Sequence, residues 1–237
     1  MSPRRVRTAI FMALCWICKT AEATTGEHRS KRCDLKAVLG DGGPLYLHND
    51  QRRNRKVQSI NSKLLKFSAS LCNACNSART QPHDRAWETL SEALRTGKPP
   101  NRPGDIIRAD RIFRTNTSQQ MLNVHLFFAK TLGCEIVENG ITVTPGIDTI
   151  AQAIMQGKPH PNLWLAFSAA KRGGWVGATH LDAARFAPAA GGYDYLCRIY
   201  HVDALEVRVR YSSVQLKPDW HPNHTNRFRI VAQPQWL

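Results

Sequence analysis

Acidic side chains are what this chain has too few of: 18 Asp and Glu stand against 33 Lys and Arg in 237 residues, a formal charge of +15 with histidine neutral. The deficit is concentrated toward the start. Residues 1–100 carry 18 basic and 8 acidic side chains, a net +10, whereas residues 101–237 carry 15 and 10, a net +5. Residues 51–66 contain Arg52, Arg53, Arg55, Lys56, Lys63 and Lys66 and no acid at all. Such a surface favours a polyanion, with nucleic acid first because binding releases its condensed counterions. An anionic membrane is the competitor, but no long basic amphipathic helix is evident and no apolar run reaches the ~18 residues of a span, so a membrane partner is not expected. Internal repeats and low-complexity segments are also lacking. With 42% apolar and 22% charged residues, the chain has the ordinary composition of a globular protein with a real core.

Cysteine is present, but not in the form of a disulfide framework. The seven are Cys15, Cys18, Cys33, Cys72, Cys75, Cys134 and Cys197, an odd count with two short-spaced pairs. That pattern suits a reduced compartment and a metal, and a cytoplasmic location is expected. Cys15-Trp16-Ile17-Cys18 and Cys72-Asn73-Ala74-Cys75 together supply four thiolates, the full tetrahedral set of a structural zinc ion. The start of the chain admits a second reading. Arg4, Arg5 and Arg7, the apolar residues 9–17 and then Ala21-Glu22-Ala23 imitate a secretory signal with its cleavage site. Cleavage there would discard Cys15 and Cys18 and orphan the other pair, so the two readings exclude each other.

Patterning outlines an α+β fold. Residues 10–14 read as a short apolar strand entering the first cysteine pair, Asp41-Gly42-Gly43-Pro44 as a turn, and Leu45-Tyr46-Leu47 as a strand after it. Beyond Asn76 the period changes. Trp87, Leu90 and Leu94 recur at helical spacing, with Pro82 in the first turn and Gly97 just past the end. This predicts a helix over residues 81–95 whose apolar stripe packs back on the zinc hairpin. Residues 97–103 read as a linker between a module at 1–96 and a mixed α+β accessory domain at 104–237. In the latter, helices are expected over 121–132 and 147–155, and strands over 195–202, 205–211 and 228–231. Leu205, Val207 and Val209 alternate with Glu206, Arg208 and Arg210, which gives a half-buried strand whose other face is either a basic sheet surface or a partner-binding one.

The order Cys-x-x-Cys, Glu27-His28, Cys-x-x-Cys-Asn76 resembles the zinc-containing branch of the HNH, or His-Me finger, endonucleases over about residues 10–95. The resemblance implies a zinc-stapled ββα-metal module that hydrolyses phosphodiester bonds in DNA. By motif match it implies His28 as general base, a role that suits an imidazole titrating near neutrality. It implies Glu27, where the family commonly has Asp, and Asn76 as ligands of a Mg²⁺ or Mn²⁺ ion. A hard ion so held keeps positions open for water and phosphate and would offset charge on the phosphorane and the leaving 3′ oxygen. His83 is a further candidate ligand, because the family often places a third functional residue on this helix; Asp84 is a capping or metal residue. Zinc would pin the hairpin carrying His28 to the helix carrying Asn76 across the 53 residues between Cys18 and Cys72.

Candidate phosphate contacts are Arg52, Arg53, Arg55 and Lys56 of the acid-free run, with Arg79 and Arg85 after the second pair; a solvated face is the bland reading of each. Cys33 is a small buried side chain or a substitute ligand. His48-Asn49-Asp50 reads as a turn, and His221 and His224 flank Pro222 in a loop. The competing function is a non-catalytic zinc-knuckle nucleic-acid-binding protein. Charge and cysteines fit both, and only Glu27, His28 and Asn76 favour catalysis. A secreted cationic protein rests on the signal-like start alone.

Overall fold

One helix, Thr117–Glu138, is buried on nearly every side, and the rest of the chain is arranged around it. Met121, Val124, Leu126, Phe127, Phe128, Ala129, Leu132, Cys134 and Ile136 supply most of its buried surface, and the polar residues buried with them, His125, Lys130 and Glu135 among these, need partners from neighbouring elements. The computed structural model describes residues 13–40, 45–48, 53–97, 101–170, 173–179, 181–184, 191–215 and 219–233. These form a mixed α+β fold. The helices are α1 (Arg32–Leu39), α2 (Gln81–Thr96), α3 (Ala109–Ile112), α4 (the buried helix) and α5 (Ile147–Gln156). The strands are β1 (Leu45–Leu47), β2 (Arg55–Val57), β3 (Ile106–Arg108), β4 (Leu163–Ala169), β5 (Val176–Ala178), β6 (Asp182–Ala184), β7 (Tyr195–Val202), β8 (Leu205–Ser212) and β9 (Arg227–Val231).

β1 and β2 form a small antiparallel pair, and the other seven strands form one sheet in the order β3-β9-β4-β8-β7-β5, with β6 also on β7. The β4–β9 pair is parallel and the others are antiparallel. The strand expected at 205–211 is β8, and Leu205, Val207, Val209 and Tyr211 are buried as their spacing requires. Its other face is not the exposed basic surface expected. Arg210 is buried with its Nη1 3.0 Å from Asp219 Oδ2, and Arg208 is half-buried. The chain returns beside β4, where Trp220 pairs with Leu165, and that return delivers the carboxylate a buried guanidinium needs.

Helix α2 runs over the expected residues but packs elsewhere. Its stripe lies mainly against α4: Trp87 stacks on Phe127 at 5.6 Å and meets Phe128 edge-on at 4.8 Å and Tyr200 of β7 at 5.5 Å. A short helix with three apolar positions finds more area on the buried helix than on the cysteine turns. The hydrophobic core is consequently continuous from Cys15 to Ile230, and the linker expected at 97–103 does not divide it. Residues 98–100 of that linker, the 41–44 turn, Asn49, Asp50, Arg52 and residues 10–12 lie outside the described residues. Among the described residues, no helix is long and apolar enough to cross a membrane.

Candidate functional site

The two cysteine pairs approach from different local structures. Residues 13–23 double back tightly, with Ala23 N–H bonded to Ala13 O and Cys15 N–H to Ala21 O, both at 2.8 Å. Lys19, at φ 59°, closes the turn by donating to Cys15 O at 2.8 Å. The second pair opens a helical segment. Cys75 N–H donates to Cys72 Sγ at 3.4 Å and Asn76 N–H to Cys72 O at 3.0 Å, and a π-helical turn over Cys75–Arg79 leads into α2. Trp16 N–H donates to Ser70 O at 3.1 Å and clips the two pairs together.

The four sulfurs of Cys15, Cys18, Cys72 and Cys75 lie within 4.8 Å of one another, all as free thiols, with Cys18 Sγ 3.8 Å from Cys72 Sγ. A tetrahedron with 2.3 Å metal–sulfur bonds has edges of roughly 3.8 Å, so the four could hold a zinc ion. Hydrogen bonds from the Thr20 side chain and backbone lower the Cys18 thiol to about 5, despite the opposing effect of burial. Burial and the neighbouring sulfurs push Cys75 up, and Arg79 answers with Nη1 2.8 Å from its Sγ. Arg79 is thus an exposed side chain with one end on a cysteine. Cys33 stands apart on α1, 3.9 Å from Asp34 Oδ1, its thiol raised by burial and the acids around it.

Glu27 and His28 sit on an antiparallel ladder with the segment that ends in the second pair: Phe67 N–H donates to Glu27 O at 2.8 Å and Arg29 N–H to Leu65 O at 2.9 Å. Gly26 permits this approach, since a Cβ there would lie 2.0 Å from Phe67 O. The His28 ring is half-buried. Its pKa is lowered by burial first and by Lys66, against a hydrogen bond to the backbone of Ile60, and its Nε2 is buried without a partner. Asn76 Oδ1 and His83 Nδ1 are likewise buried and unpartnered. Burial, then the charge on Lys130, lowers His83 to about 4.

Glu27 is fully engaged. Its Oε1 accepts from His28 N–H at 3.0 Å, and its Oε2 lies 2.5 Å from Lys130 Nζ. Lys130, with no exposed surface, also contacts Asp84 Oδ1 at 2.8 Å and Thr80 Oγ1 at 3.3 Å. Burial opposes its charge, but Glu27 and Asp84 together hold its pKa above the ordinary lysine value. Asp84 Oδ2 is 3.1 Å from Lys31 Nζ, and Thr80 Oγ1 donates to Cys75 O at 2.9 Å. Each oxygen of the carboxylate expected to bind a divalent ion is therefore already engaged, one of them by a buried cation. The residues as placed do not fit that ion at Glu27, and among the described residues the four cysteines are the one such gathering of His, Cys, Asp or Glu.

Arg53, Arg55, Lys56 and Arg85 are exposed, the middle two on β2. His221 is no metal ligand in waiting: its Nε2 bonds His160 O at 3.0 Å and Asn223 N–H donates to its Nδ1 at 3.2 Å. Lys130 is the site residue that motif reading misses. Its signal is in the sequence nonetheless, as a lone cation in the apolar run Leu126-Phe127-Phe128-Ala129-Lys130, where burial demands acidic partners. No family model, curated protein or solved structure matches this chain.

Proposed function

We propose that the chain is a zinc-bound HNH-type endonuclease that hydrolyses phosphodiester bonds in DNA, with His28 as general base. The observation that carries the reading is the unpartnered His28 Nε2, on an extended segment bridged to the one that ends in the second cysteine pair. A buried acceptor left unpaired costs stability unless water or substrate completes it. The unpartnered Oδ1 of Asn76, next to Cys75, supports the same reading. So does the order of parts, with two extended segments joined by isolated antiparallel bridges and then the helix α2. In the reaction the neutral imidazole takes a proton from water at Nε2 as the water oxygen attacks phosphorus, and the departing 3′ oxygen takes a proton from solvent. Burial and Lys66 lower the His28 pKa, which favours the neutral imidazole. Zinc on Cys15, Cys18, Cys72 and Cys75 cross-links the two halves of the site. Arg53, Arg55, Lys56, Arg79 and Arg85 contact phosphates and so position the duplex without reading its sequence. A Mg²⁺ or Mn²⁺ ion is assigned no step, because Glu27 as placed cannot hold one.

Plasmid nicking tests this. His28→Ala should lose about 100-fold or more of the rate, while zinc content and DNA affinity stay unchanged. Equal nicking by both would reject catalysis by His28, and no nicking by either would leave a zinc-knuckle protein that binds DNA without cutting it, the reading that the engaged Glu27 favours.

A further inference from the structure

An ammonium has three N–H donors, and Lys130 meets three acceptors: Glu27, Asp84 and Thr80. Lys130 lies between two negative charges, Glu27 and Asp84, while Lys31 is shared by Asp84 at 3.1 Å and the more exposed Glu88 at 3.5 Å. Lys130 cannot step aside into water, because its side chain has no exposed surface and leaves from α4 at the centre of the core. A divalent ion at Glu27 would share a small buried space with this cation and would find both oxygens taken, one by the ammonium and one by His28 N–H.

We propose that Lys130 is the resident cation of the Glu27 and Asp84 pair and excludes a divalent ion from it. Glu27 is then a positioning residue, fixing the backbone of His28 through Oε1, and not a metal ligand. The bearing on hydrolysis rests on the reading of His28 as base, but the exclusion of metal rests on contacts alone. Lys130 thereby ties together the strand carrying His28, the start of α2 and, through Thr80, the backbone of a zinc-cluster cysteine.

The test is a Mn²⁺ titration of the zinc-loaded full chain, following free Mn²⁺ by electron paramagnetic resonance, for wild type, Glu27→Gln, Lys130→Met and the double variant. Wild type and Glu27→Gln should bind Mn²⁺ equally weakly. Lys130→Met should gain one site at least about tenfold tighter, and the double variant should lose it. Tighter binding by wild type than by Glu27→Gln would overturn the proposal, as would a folded, zinc-replete Lys130→Met with no gain. Should Lys130→Met fail to fold, the wild type and Glu27→Gln pair still decides. In nicking assays Glu27→Gln should lower the maximal rate and leave any half-maximal Mn²⁺ concentration unchanged. Absence of nicking in every variant would defeat the nuclease reading and leave the titration to judge Lys130.

Discussion

Asp34 is a carboxylate with no exposed surface, and donors from two elements converge on it: Trp87 Nε1 at 2.8 Å and Ser91 Oγ at 2.8 Å from α2, and Tyr200 OH at 2.7 Å from β7. Removing it would strand three buried donors at once. Asp34→Ala should therefore cost about 3 kcal/mol or more in urea unfolding, while Asp34→Asn, which keeps the shape and one oxygen, should cost less. Gly26 is a second sensitive position. Gly26→Ala would drive a methyl into the Phe67 carbonyl and should disrupt the bridges that hold His28, read as a lowered Tm and, under the proposed nuclease function, as lost nicking. Neither residue announces itself in the sequence. Asp34 looks like a lone surface acid among basic residues, and Gly26 looks like turn chemistry, because a long-range partner decides the role of each.

Elements were legible where their surroundings are one-sided. α2 shows its 3.6-residue stripe and its Pro82 start, and β8 alternates cleanly, so both stand where the pattern puts them. β4 escaped because six of its seven residues are buried, which leaves a run of apolar residues without alternation. The cysteine spacing identified the cluster, since two short pairs need only be brought together. Cys72→Ser should accordingly lose the zinc by elemental analysis and lower Tm sharply, because ligation bridges segments far apart in sequence. Three histidines between α4, α5 and the sheet carry another expectation. His125 Nε2 accepts from His160 N–H at 3.0 Å, and His160 Nε2 meets Thr149 Oγ1 at 2.9 Å. Burial first, and then their mutual charge, hold His125 well below the ordinary value and His160 at about 4, and burial lowers His221 as well. In the unfolded chain they titrate near 6.5. Below that pH the unfolded state binds the extra protons, so their stabilisation is complete above about 6.5 and is lost as pH falls toward 4. The slope is about 1.4 kcal/mol per pH unit per histidine. Urea unfolding between pH 7.5 and 5 should show this decline before the paired carboxylates titrate.

At the scale of the whole molecule, one cluster of buried residues runs across the Gly- and Pro-rich stretch. A chain ending at residue 97 would expose Trp87, Leu90 and Leu94, leave Glu27 and Asp84 without Lys130, and take Tyr200 from Asp34. It should fail to give a cooperative melt even with zinc supplied, as circular dichroism would record; a sharp transition would show that residues 1–97 fold alone. The composition signal was legible here in a way topology was not, because charge needs no partner to be counted. The continuity of the core also sets an order of events during synthesis. All four cysteines of the cluster have emerged by residue 75, yet the helix that carries Lys130 is made later. A zinc ion could thus be captured on the nascent chain while Glu27 and Asp84 are still without their buried counterion. On those four sulfurs it would hold an open half in register until the remainder of the protein arrives to close it.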